Sequence, residues 1–159
     1  MNVSKKTTLV AAATLCFALV GSAIAGSHGG GEAQKDAAEY RQSTFTMVKH
    51  HFGIMGAMAK GKIDFDAETF ARNAEAVAAL SQLAPTGFEV EGLSDDTSAK
   101  AAIWKEKADF SEKMTAFQDA AMNLAKVAQE GDEGKSKAAF GAVAKTCKGC
   151  HTDYRTKKK

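Results

Sequence analysis

Three side chains near the end of the chain carry its most specific chemistry: Cys147, Cys150 and His151, in the stretch "KTCKGCHTDYRTKKK". At positions i, i+3 and i+4 of a helix they share one face. Two thiols three residues apart, with a histidine directly after the second, spell C-x-x-C-H, the signature of c-type haem attachment. Each thiol forms a thioether with a porphyrin vinyl group, and the adjacent imidazole is placed to ligate the iron. Three other chemistries use the same residue types. A structural zinc site needs four ligands, and the remaining histidines, His28, His50 and His51, offer no second pair at a suitable spacing. A dithiol redox pair belongs at a helix N-terminus, where the dipole lowers the thiol pKa, whereas these cysteines stand near a helix C-terminus. A plain disulfide would close a very short loop and leave His151 without a role. Haem attachment accounts for all three residues, with His151 as the metal ligand.

Helices must carry this motif. From about Glu32, Phe45, Val48, Phe52, Met55 and Ala59 recur by threes and fours and predict one face of a long helix that Gly61 ends. Ser27 to Gly31 reads as a loose, polar lead-in. Asp66 is placed to cap a second helix, with Glu68 in its first turn and Phe70, Ala74, Val77 and Ser81 facing inward. Pro85 closes that segment, and Ala84 to Thr97, rich in glycine, acid and hydroxyl residues, reads as a long connection leading into another cap. Ile103, Lys107, Phe110, Met114, Phe117, Ala121, Leu124 and Ala128 then alternate steps of four and three, predicting one unbroken third helix with Lys107 at the bundle edge. Gly131 stops it and Asp132 caps a fourth, whose inward stripe is Phe140, Val143, Cys147, Cys150 and Tyr154. No strand-like alternation of useful length and no fixed repeat intervene. The expected fold class is all-α, an antiparallel four-helix bundle around covalently bound haem c.

A chain of 159 residues suggests one domain. Residues 1–25 are not counted in it: MNVSKK, an apolar run and Ala23-Ile24-Ala25 have the order of a secretory signal peptide that is removed, leaving 26–159 as the bundle domain. Threonine and glycine interrupt the apolar run, which falls short of the roughly 20 residues a membrane anchor needs. Cys16 follows Leu15, where a lipoprotein signal would want a small residue, so it leaves with the segment. Removing Lys5 and Lys6 takes the 21 basic residues to 19, against 19 acidic. A near-neutral mature chain argues against nucleic acid or anionic membrane as a partner. Export also implies an oxidising compartment for the two remaining cysteines.

At this point the chain resembles the cytochromes c prime. The resemblance runs from "AEYRQSTFTMVKHHFGIMGAMAKGK" through "AIWKEKADFSEKMTAFQDAA" to "AAFGAVAKTCKGCHTDYRTKKK", and the late position of C-x-x-C-H is its specific part. It implies a periplasmic homodimer of four-helix bundles, one haem c in each. The iron would be five-coordinate and high-spin, binding small gases such as nitric oxide and carbon monoxide. In that family an apolar residue on the first helix covers the distal face of the iron, and the match falls on Phe45. A family arginine beside the proximal histidine, implicated in proximal nitric oxide binding, matches Arg155; the other reading of Arg155 is a partner for the helix C-terminal carbonyls.

Arg41 stands one turn before Phe45, where it either reaches the haem edge as a propionate partner or is a solvated surface side chain. Met47 lies about 200° around the helix from Phe45, so only one of the two can point inward. Met47, His51, Ile54 and Met58 form a second stripe, either a dimer surface or a broadened core face. Met114 belongs to the core stripe. An iron covered by Phe45 would sit in an apolar pocket that favours neutral diatomics, could exchange one electron, and has no acid or base over its distal face for catalytic turnover. The competing class is a six-coordinate, low-spin electron carrier with a methionine as distal ligand.

Overall fold

The computed structural model describes residues 30–95 and 97–157. The signal-peptide expectation for residues 1–25 lies outside them. Helix α1 spans Gly30–Ala59, two residues earlier than the polar lead-in suggests. Gly61 closes its end with φ 64°, a left-handed conformation that glycine adopts without a Cβ clash, while the Gly61 and Lys62 N–H groups donate to Met58 and Ala57. Helix α2 (Ala67–Leu83) begins at Asp66, whose carboxylate accepts from the Thr69 N–H at 2.6 Å. A 3-10 turn over Ala84–Phe88 follows, opened by Pro85.

The expected third helix is two. Helix α3 (Ala102–Lys105) stops at Glu106, whose φ of −114° and ψ of 47° are not helical, and α4 (Lys107–Ala128) starts directly after it. The apolar stripe nevertheless runs through the break: Ile103, Phe110, Met114, Phe117, Ala121, Leu124 and Ala128 are all buried, and Lys107 is exposed. Periodicity reports which side chains face inward and is silent about a backbone offset between two turns. The Glu106 carboxylate accepts from the Tyr154 hydroxyl at 3.2 Å, so the residue at the break is tied to a distant helix. That helix, α5 (Glu133–Tyr154), has Asp132 as N-cap, accepting from the Lys135 N–H at 2.8 Å.

Helix α1 packs on α2, α2 on α4 and α4 on α5, an up-and-down order with short connections after α1 and α4 and a long one between α2 and α3. Phe70, Met55, Leu124, Val77 and Val143 fill the centre. Phe52 stacks on Phe140 with centroids 4.2 Å apart, and Phe140 also abuts Gly56, where a Cβ would come within 3.3 Å of the ring. The second stripe of α1 divides. Met58 is buried, and His51 hydrogen-bonds through Nδ1 to Asn73 Oδ1 of α2 at 2.9 Å, so these two belong to the broadened core face; Met47 stands in solvent. The α1–α5 seam closes the ring of helices and is by far its thinnest. Among the described residues no helix is long and apolar enough to cross a membrane.

Candidate functional site

At that thin seam lies a cavity of 680 Å³, within the range of roughly 300–1,000 Å³ typical of small-molecule sites. Arg41, Phe45, Cys147, Cys150, His151 and Arg155 all line it, so the fold gathers the six residues expected to touch the haem around one space. Both thiols are free and half-buried. Burial pushes the Cys147 thiol up; for Cys150 burial and then the neighbouring Cys147 push it to about 11. Such thiols are protonated near neutrality, the opposite of an exchange-active redox pair. His151 is exposed at the cavity edge, and partial desolvation followed by the positive charge of Arg155 lowers its pKa. The neutral imidazole that results has a lone pair to offer a metal.

Arg155 departs from the simple C-terminal reading. Its side chain turns to the segment before α3, where Nε donates to Ser98 Oγ at 3.3 Å, and its backbone bridges Ala99. The Lys100 N–H donates to Tyr154 and the Thr156 N–H to Ser98, clipping the end of α5 to the same segment. Tyr154 is buried, with its ring edge-on to Phe110 at 5.2 Å and its hydroxyl donating to the carboxylates of Asp109 and Glu106.

Arg41 is buried, not solvated, at 5% exposure. Nη1 donates to the Gly87 carbonyl at 2.6 Å, and the guanidinium lies over Phe88 and Trp104, 5.3 and 5.7 Å from their centroids. Nη2 has no partner. A buried cation with an unspent donor on a cavity wall calls for an anion, and the propionate of a haem supplies one with matching fork geometry. The free thiols, the available imidazole, the apolar walls and this orphaned donor together fit haem c. Gly87 has no counterpart in the sequence reading: a Cβ there would lie 2.4 Å from Arg41 Cγ, so its lack of a side chain is what lets Arg41 settle. Its only signal is a glycine in a proline-led turn, which looks like ordinary turn chemistry.

Phe45, one turn after Arg41 on α1, is half-buried in the cavity wall, 6.4 Å from the Phe88 ring. Met47, 46% exposed, is turned away from the cavity, whereas Met114 is buried and lines it.

A family model described as Cytochrome C' matches residues 36–155. The chain belongs to the cytochrome c prime family. Cytochrome c' from Alcaligenes xylosoxydans xylosoxydans is 40% identical over 124 residues, covering 78% of this chain and 96% of that protein. The solved structure of cytochrome c prime from Shewanella frigidimarina is 48% identical with a TM-score of 0.76, covering 78% of this chain and 97% of that one. A nitric oxide complex of a cytochrome c prime variant from Alcaligenes xylosoxidans is 40% identical with a TM-score of 0.72, covering 79% and 97%. As in other cytochromes c prime, the cofactor is covalent c-type haem, consistent with the cysteines near the C-terminus.

Proposed function

We propose that this chain is a periplasmic haem c protein that binds nitric oxide and carbon monoxide at a five-coordinate, high-spin iron and exchanges single electrons without catalytic turnover. Bound in the cavity, the haem would supply an iron that can take up a gas and give or take one electron. Cys147 and Cys150 tether it, and His151 holds the proximal position. Arg41 anchors a propionate through Nη2, and Arg155, held by Ser98, keeps a positive charge beside His151. Phe45 covers the distal face and excludes water and bulky ligands sterically, since its ring offers no hydrogen bond. A second copy of the chain is the expected partner, as in the family resemblance.

The observation that carries this reading is the pairing of Phe45 inside the cavity with Met47 outside it. Nitric oxide complexes solved for relatives lend support. The six-coordinate alternative now rests on Met114, the one methionine among the cavity-lining residues. Optical and paramagnetic resonance spectra of the oxidised and reduced protein decide between them. High-spin signals are expected; a low-spin ferric signal with a sulfur-to-iron charge-transfer band would overturn the proposal. Phe45→Ala should tighten carbon monoxide binding by about tenfold to a hundredfold, the scale of a steric contact in an apolar pocket.

A further inference from the structure

A second, smaller depression of 330 Å³ opens on the outside of the bundle, between the 3-10 turn and the start of α4. Pro85, Trp104, Ser111 and Thr115 frame its outer part. Its floor is made by Phe88, Ile103, Phe110 and Met114, and the same four side chains line the haem cavity. One layer of apolar side chains therefore separates solvent from the cavity at this point. We infer that this groove is the entry route for the diatomic ligand, and that Phe88 is its gate.

Three observations converge on Phe88. It is the last residue of the 3-10 turn and only half-buried, while Ile103, Phe110 and Met114 are buried. Its ring packs on Phe110 within the barrier, with centroids 4.8 Å apart, and stands 6.4 Å from Phe45 on the cavity side. Its backbone is held from outside, since Trp104 Nε1 donates to the Phe88 carbonyl at 3.0 Å and Lys107 pairs with Glu91 along the rim. The turn stays anchored while the ring can rotate, a motion open to side chains on fast timescales. A small neutral gas crosses an apolar partition that water and anions do not. Behind the charged rim of Glu89, Glu91 and Lys107, the groove ends on an apolar floor that leads towards Phe45.

The inference rests on the proposed reading of Phe45 and a five-coordinate iron. A gate alters the barrier and not the bound state, so it changes association and dissociation rates equally and leaves affinity untouched. The test is laser photolysis and stopped-flow of carbon monoxide with the haem-loaded ferrous protein, comparing wild type, Thr115→Trp, Ser111→Trp and Phe88→Leu. Ser111 and Thr115 are exposed, so filling the groove there spares the core. Filling should slow both rates by roughly tenfold at constant affinity, and Phe88→Leu should speed both. Xenon-pressurised crystals supply a readout independent of gas binding to iron: xenon should lodge in the wild-type groove against Phe88 and be absent from Thr115→Trp. Rates unmoved by groove filling, a change in affinity without matched rates, or no xenon in the wild-type groove each overturn the route. Failure of the underlying reading looks different: a low-spin ferrous spectrum, with association independent of gas concentration because a methionine must leave first, removes both proposals together.

Discussion

Gly87→Ala is expected to unseat Arg41. The added Cβ would stand 2.4 Å from Arg41 Cγ, 3.1 Å from Tyr40 Cδ1 and 3.4 Å from Arg41 Cα. The closest atom is near the root of the side chain, so the whole arginine must move, and the 2.6 Å hydrogen bond from Nη1 to the Gly87 carbonyl goes with it. A hydrogen bond from a charged donor contributes about 1.5–3 kcal/mol and overpacking costs about 1–3 kcal/mol; partial relaxation brings the expected loss to about 2–4 kcal/mol. For a domain of this size that lowers the melting temperature by on the order of 10 °C. The assay is thermal unfolding of the haem-loaded protein, followed by far-ultraviolet circular dichroism and Soret absorbance, on a double-mutant cycle with Arg41→Ala. Without Cγ the clash disappears, leaving only the milder Tyr40 and backbone contacts, so Gly87→Ala should cost less than about 1 kcal/mol in that background. A coupling below about 0.5 kcal/mol would refute the reasoning, because it would mean Arg41 and Gly87 act independently.

Tyr154→Phe tests the pairing of α5 with Glu106 and Asp109. The Tyr154 donor, then Lys113, holds the Asp109 carboxyl below its usual value, so its contribution is present above the unfolded pKa and lost as pH falls through the folded one. The stability gap between wild type and variant, measured by denaturant titration, should be full near neutrality and close as pH drops below about 4; a gap independent of pH sinks the assignment. The same contacts raise the Tyr154 phenol, so that part of the gap is full below the unfolded phenol value and lost as pH rises through the folded one. For the tether, Cys147→Ala and Cys150→Ala each leave one thioether, and only the double variant should release haem from the denatured chain on a gel stained for haem peroxidase activity; retention by the double variant would contradict attachment through these two thiols.

Much of the bundle was legible because helix chemistry is local. Asp66 and Asp132 cap α2 and α5 as their positions before apolar-periodic runs imply, and Gly61 and Gly131 take the positive φ values that end helices. The stripe on α4 was legible for the same reason. The break at Glu106 was not, since no proline or glycine marks it and Tyr154 is 48 residues away. On α1 the pattern was ambiguous, because Phe45 and Phe52 border a cavity as well as the core and are only half-buried.

By itself the sequence determined the cofactor chemistry, since C-x-x-C-H needs only the covalent spacing of Cys147, Cys150 and His151 on one helical face. The tertiary structure decided what surrounds it. Whether Arg41 is solvated or buried depends on Gly87, 46 residues away, coming close enough to accept its hydrogen bond. Whether Phe45 or Met47 faces the cavity depends on which side of α1 meets the α1–α5 seam, a packing outcome that periodicity within one helix leaves open because both faces carry apolar residues. The groove behind Phe88 exists only where a 3-10 turn, α3 and α4 meet, and such a junction has no linear signature.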